Sequence, residues 1–208
     1  MQSRSQARSS SSLHISNAAE TVAKPISGIS IICDWGPHHR GESAGLYSQA
    51  DVVEGYGQRL NEELEYESVR AFPVDTRKAP WRTEAERLAD VPDGFVPLFV
   101  SCDWHAKERR DRQYNASSVE FSGDYYKLAD ALCFAMAEWG RCYVFGHRVL
   151  RPVAVEPVAE GRGFVRVKPF ALNGPHADEY LKRLDKLGED LGRAIGGFLA
   201  GIGQGIRR

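Results

Sequence analysis

Apolar residues fall into two kinds of pattern along this chain. Mostly apolar runs occupy residues 29–33, broken by Ser30, and 95–100, with shorter ones at 142–145 and, around Arg166, at 164–167. Runs of this length predict strands buried on both faces of a sheet. Between them the spacing changes to three and four residues. Val53, Tyr56, Leu60 and Leu64 predict a helix over 50–66, and Leu128, Leu132, Ala135, Met136 and Trp139 predict one over 125–139. Gly55 and Gly57 each weaken the first of these by about 1 kcal/mol. A strand is expected over 69–74, where Pro73 favours a sheet edge. A short helix follows over 83–90, and closing helices run over 177–200 after Asn173-Gly-Pro. Residues 107–115 read as a solvated charged loop, and the proline- and glycine-punctuated stretch 148–163 as a hairpin or long loop. Strands alternating with helices predict an α/β domain with a mostly parallel central sheet and helices on both faces.

That domain spans 25–200. Residues 1–24 are rich in serine and arginine and are expected as a disordered tail, having little apolar surface to bury. Residues 201–208 form a glycine-rich C-terminal tail. It reads as the fraying end of a helix packed on the core, the alternative being a membrane-surface or partner helix.

The two long apolar runs end in similar tips. The first delivers Asp34, Trp35, His38 and His39, and the second delivers Asp103, Trp104 and His105. Ligands of open α/β sheets bind at the carboxyl ends of the strands, so both tips point to one shared pocket. The plainer reading is a pair of ordinary polar loops. Trp35 and Trp104 are either an aromatic wall for a sugar or peptide or caps on the core.

Composition narrows the classes. The chain has 208 residues, 42% hydrophobic and 26% charged, with a formal net charge of −1. This is an ordinary globular mix with no polycationic surface for nucleic acid. Cys33, Cys102, Cys133 and Cys142 form no Cys-x-x-Cys pair and read as buried thiols of a reducing compartment. No run is apolar enough to span a membrane, and the first residues lack the apolar core of a secretory signal. The expected location is cytoplasmic.

Five landmarks resemble a known family. The first strand leads into Asp34-Trp-Gly-Pro-His-His, and a glutamate, Glu54, lies early in the first helix. Thr76-Arg77 follows the second strand, Ser101-Cys-Asp103-Trp-His105-Ala follows the central one, and Lys168-Pro-Phe170-Ala-Leu-Asn173 comes late. In order and rough spacing these resemble the zinc-dependent N-acetylmuramoyl-L-alanine amidases. The resemblance implies a peptidoglycan or muropeptide ligand, and phage-type delivery to the cell wall as the alternative to a cytoplasmic location. It also implies a Zn²⁺ held by a histidine, a glutamate and a second histidine, with a late glutamate as general base. Zinc in such a set leaves one position for a water whose pKa it lowers to about 7.

This chain departs from that set. Pro37 stands at the first histidine position, with His38 or His39 available after a shift of one residue. Asp103 stands at the second histidine position, where a carboxylate still binds zinc. Lys168 stands at the late glutamate position and cannot act as a carboxylate base; Glu156 is the substitute the sequence offers. Glu54 is the retained ligand, or simply a charge favoured by the helix dipole. His105 reads as a hydrogen-bonding group behind the ligands, with Arg77 and Asn173 beside the pocket. Two outcomes follow. In one, a diverged zinc amidohydrolase uses the histidines, Glu54 and Asp103. In the other, a pseudoenzyme binds cell-wall fragments or a protein partner. In the second case Lys168 is expected to fill the metal's place, held by Glu54 and Asp103.

Overall fold

The run predicted as the central strand becomes β5 (Phe95–Ser101), and its position explains its composition. A computed structural model describes residues 26–35, 43–44, 47–79, 81–102, 117–141, 150–170, 172 and 177–205. β5 pairs in parallel with β1 (Gly28–Asp34) on one side and with β8 (Phe164–Lys168) on the other. The register runs from Gly28 opposite Phe95 to Asp34 opposite Ser101, so both strands end level. Beyond β1 lies β4 (Ala71–Val74), at the edge that Pro73 predicted. Beyond β8 lie β6 (Ser118–Ser122) and β7 (Val153–Ala154), giving the order β4-β1-β5-β8-β6-β7. Within this sheet, among the described residues, only the β6–β8 pairing is antiparallel, and the chain is a mixed α/β domain as the sequence predicts. A separate two-stranded pair, β2 (Ser43–Ala44) and β3 (Tyr47–Ser48), precedes the first helix.

Alternation along each strand sorts side chains to two faces. Ile29, Ile31, Leu98, Val100, Val165 and Val167 enter the larger core. Over them lie α1 (Gln49–Tyr66), α3 (Tyr126–Arg141) and α5 (Leu184–Gly205), with Leu60, Leu132 and Leu191 fully buried at the contact. The short α4 (Ala177–Leu181) adds Tyr180, which stacks on Trp139 and Phe170. Ile32, Phe99 and Phe164 enter a smaller cluster on the opposite face, closed by Leu88 of α2 (Glu84–Ala89).

The helix starts follow local chemistry. Ser48 caps α1, its hydroxyl accepting from the Asp51 amide while the Asp51 carboxylate accepts from the Ser48 amide. Thr83 and Glu86 do the same for α2. Each satisfies two amides that helix geometry would otherwise leave open. α5 lies unusually close to α1. A Cβ added at Gly188, Gly192 or Gly196 would meet the Cβ of Arg59, Glu63 or Glu67 at 2.8, 2.7 and 2.9 Å. Ion pairs Arg59–Glu189 at 3.0 Å and Arg193–Glu63 at 3.1 Å flank this contact. The helix continues past residue 200 to Gly205, and no helix among the described residues is long and apolar enough to cross a membrane.

Strand β6 is a finding the sequence reading lacks, and of the stretch 148–163 the described residues, 150–163, contribute only the two-residue β7. The predicted strand at 142–145 and the tail 1–24 lie outside the described residues.

Candidate functional site

Three parallel strands, β1, β5 and β8, end side by side, and α1 begins against them. Hydrogen bonds fix these exits. The Gln49 side-chain amide donates to the Cys102 carbonyl at 2.7 Å. The Tyr56 hydroxyl, fully buried, lies 2.6 Å from the Ser101 carbonyl and 3.4 Å from that of Val167. Burial pushes the Tyr56 phenol well above its ordinary pKa, so it stays a donor. The Cys102 thiol donates to the Phe170 carbonyl at 3.2 Å. Each bond joins an element of the site to a neighbouring strand or to the segment after β8, so the site end of the sheet is rigid.

Charge is concentrated on the face that α2 covers. Phe164, Arg166 and Lys168 alternate onto it from β8, opposite Ser122, Glu120 and Ser118 of β6. Lys168 Nζ lies 2.8 Å from Glu120 Oε1, with side chains 21% and 17% exposed. Arg166 pairs with the same Glu120 at 3.1 Å and with Glu84 of α2 at 2.5 Å. Its guanidinium sits over the rings of Phe99 and Phe164, 5.0 and 5.1 Å from their centroids. Cation–π contact of this kind lets the arginine stem pack in an apolar cluster while its fork reaches carboxylates. Burial raises the Glu120 carboxyl, but Lys168 and Arg166 outweigh it and hold the group below the ordinary glutamate value. A second pair, Arg87 with Asp34 at 2.9 Å, fastens α2 to the end of β1, with Arg87 only 3% exposed.

The structure rearranges several residues expected at the site. Glu54 is not at the start of α1; that place is held by Gln49, and Glu54 sits in the second turn. Its carboxylate pairs with the exposed Arg77, so two expected pocket residues meet each other rather than a metal or Lys168. Both lie close enough to influence Cys33, whose thiol is pushed up to about 12 by burial first and by Glu54 second. The expected Lys168–Glu54 contact is therefore corrected: Lys168 lies on Glu120. The reason is strand alternation, which puts Lys168 and Glu120 on one face of adjacent antiparallel strands. Glu156 is also corrected as a substitute base. It is exposed, and β7 carries it past the level of Ser122 and Phe164, the opposite end of β8 from Lys168. Trp35 is 5% exposed within the larger core, so it caps that core rather than forming an exposed wall. His38, His39, Asp103, Trp104, His105 and Asn173 lie outside the described residues.

The residues the sequence reading missed are Gln49, Arg87, Glu120 and Arg166. A signal existed for Glu120: Val119 and Phe121 flank it in a period-two pattern between polar ends, the mark of a half-buried strand. Among the described residues no group of three or more His, Cys, Asp or Glu side chains could hold a metal ion. The groups that do stand at the helix start and at the end of β8 are a neutral carboxamide and an ammonium, and neither suits Zn²⁺. An ammonium has three donors and no lone pair, and it repels a dication.

No protein-family profile matches this chain. No curated protein matches it in sequence. Solved structures do match it in shape. N-acetylmuramoyl-L-alanine amidase AmiC2 of Nostoc punctiforme superposes with a TM-score of 0.55 at 17% identity, covering 85% of this chain and 97% of that one. The CwlD amidase of Clostridioides difficile, solved in complex with the GerS lipoprotein, gives 0.56 at 13% identity, covering 83% and 99%. The catalytic domain of CD27L, an endolysin targeting Clostridia difficile, gives 0.60 at 11% identity, covering 81% and 96%. A single α/β domain, a mostly parallel sheet with these strand exits and matches over most of both chains agree on one conclusion: the chain has the fold of the N-acetylmuramoyl-L-alanine amidase catalytic domains.

Proposed function

We propose that this protein is an amidase-fold pseudoenzyme that recognises muropeptide-type fragments of peptidoglycan and does not cleave their amide bond. The observation that carries the reading is Lys168. It ends the strand where the resemblance sets a glutamate base, and it is held there by Glu120 at 2.8 Å. An ammonium has no lone pair with which to take a proton from water, so general-base hydrolysis has no acceptor at that position. Gln49 at the start of α1 supports the same reading, because a carboxamide carries no charge to hold a dication. The retained fold leaves a rigid ledge of strand ends for a ligand. On this reading the protein acts inside the cell on recycled or incoming wall fragments, or reaches the wall through a lysis system.

The test pairs binding with turnover. Muropeptides carrying the lactyl–L-alanine amide are incubated with the protein and added Zn²⁺, and free stem peptide is followed by chromatography. Expected is binding by calorimetry with no release of peptide. Release that stops on chelation, and is lost in Asp103→Ala, would establish the active-hydrolase reading instead. A second reading, a protein-binding module, is favoured by the CwlD structure, whose amidase carries a lipoprotein. Absence of any muropeptide binding by a folded protein would select it.

A further inference from the structure

Trp81 is a large aromatic residue that neither core uses. It is 71% exposed, whereas Trp35 and Trp139 are 5% and 2% exposed. An indole left in water forgoes the burial of about 150–250 Å² that a core aromatic contributes. The loop that carries it is nonetheless tied down. β4 runs parallel to β1, with Val74 opposite Ile32, so the chain leaves the sheet at the end where β1, β5 and β8 also finish. There the Asp75 carboxylate accepts from the amides of Arg77 and Lys78 at 3.1 and 3.4 Å, and Arg77 reaches Glu54 of α1. The Arg82 amide donates to the Ala79 carbonyl at 3.1 Å, which closes a turn around Trp81. Beyond the turn Arg82 pairs with Asp90, and Glu84 pairs with Arg166 of β8 at 2.5 Å. The loop therefore borders the strand exits from α1 to β8, fixed at both ends, with an exposed indole between.

We infer that Trp81 is the sugar contact of this site: one face of an N-acetylhexosamine ring of the muropeptide stacks on its indole. The inference rests on the muropeptide reading for its ligand and names the part of that ligand held at the rim. The surroundings of Trp81 decide the kind of partner. Arg77, Lys78 and Thr83 of the same loop are exposed and polar. Among the described residues the other large exposed rings stand elsewhere: Tyr66 at the far end of α1, Phe72 within β4, and Tyr126 and Phe134 on α3. A protein partner needs a contiguous apolar patch, which a single indole among charges does not offer. A pyranose needs one ring. Its axial C–H groups carry slight positive charge, which the negative face of an indole attracts, while its hydroxyls stay with water and polar neighbours. A fixed loop adds to this, because the ring is already in place when the ligand arrives.

The test uses the full chain and three probes: a muropeptide carrying its disaccharide, the free stem peptide, and chitotetraose, which offers N-acetylglucosamine rings without peptide. Calorimetry compares wild type, Trp81→Ala and Trp81→Phe. Wild type should bind chitotetraose. Trp81→Ala should weaken both sugar-bearing probes by roughly tenfold or more, the scale of an anchor residue, and leave the stem peptide unchanged. Its Tm should stay at the wild-type value, because an exposed ring carries little of the fold. Trp81→Phe keeps an aromatic face and should fall between. In wild type the indole N–H resonance that Trp81→Phe deletes should shift on adding chitotetraose, a readout that does not depend on the alanine variant folding. A folded Trp81→Ala that binds the sugar probes as wild type does overturns the inference. So does an equal loss for the stem peptide, or an indole resonance that stays still. The failures are distinguishable. Wild type that binds the stem peptide and no sugar overturns the inference and keeps a wall-fragment ligand. Wild type that binds chitotetraose through Trp81 and ignores muropeptide overturns the proposed ligand and leaves the sugar contact standing. Wild type that binds no probe overturns both.

Discussion

Under α1, α3 and α5 the sheet presents Ile29, Ile31, Leu98, Val100, Val165 and Val167 to an aliphatic and aromatic core. Under α2 it presents Ile32, Phe99 and Phe164 beside Asp34, Glu120, Arg166 and Lys168. The first face is held by area removed from water, which is non-directional and tolerant of exchange among apolar residues. The second is held by ion pairs whose partners must stay matched, because a buried charge without its partner costs more than the pair contributes. The difference explains where charge is carried. Lys168, at the end of β8, lies on the face that already holds its partner Glu120.

The comparison is broken most forcefully at Arg87. Arg87→Ala removes the guanidinium 2.9 Å from the Asp34 carboxylate, 14% exposed, and should cost about 3–5 kcal/mol. Replacing both partners, as Arg87→Met with Asp34→Asn, should cost clearly less than Arg87→Ala alone. Urea unfolding midpoints of the three proteins check this, and a double variant as weak as the single one would show that the pair is not the unit of stability. On the apolar face the expected loss is of similar size but different in kind. Leu60→Ala empties a fully buried position and should cost about 2–5 kcal/mol, with no dependence on pH or salt.

Acid sharpens the contrast. Glu120 titrates below its ordinary value in the folded protein, so it binds protons less readily there than in the unfolded chain. Its contribution is therefore fully present above the unfolded value of about 4.3 and is lost as pH falls through the lower folded value. Wild type should lose stability on acidification through that window more steeply than Glu120→Gln, in which the titrating group is gone. Parallel acid limbs in the two proteins would remove Glu120 from the ladder that links α2 to Lys168.

What was legible in the sequence divides along the same line. Mostly apolar runs placed β1 and β5 as neighbouring interior strands, and three- and four-residue spacing placed α1 and α3. Pro73 marked the edge. The charged face was not legible. Its pairs join residues 46 to 82 positions apart, and one of its strands, β6, follows a charged loop with only two apolar residues to announce it. The start of α1 was placed to within one residue, but the residue that meets the strand exits was not. A glutamate in the second turn resembles a ligand in one dimension, whereas the helix cap at Ser48 brings Gln49 to the strand exits. Sequence separation hides a salt bridge, and helical phase hides which residue of a turn faces the site.

The smallest expected effect divides two glycines that the sequence treats alike. Gly55 and Gly57 both lie in α1, and each should weaken an isolated helix by about the same amount, 0.5–1 kcal/mol relative to alanine. Their surroundings differ. A Cβ at Gly55 meets nothing within 4 Å, whereas one at Gly57 comes within 2.9 Å of the Cys33 sulfur and 3.3 Å of Val100 Cγ2. Gly57 is what lets α1 settle onto β1 and β5, so an added methyl there overpacks the apolar face. Gly55→Ala should stabilise by about 0.4–1 kcal/mol, chiefly by restricting the unfolded chain. Gly57→Ala gains the same propensity but must displace Cys33, for a net loss of about 1–2 kcal/mol. Thermal unfolding of the two single variants should therefore move in opposite directions from wild type. A shared upward shift would mean that the sheet yields under α1. It would also mean that the apolar face is looser than the charged one, reversing the contrast between them.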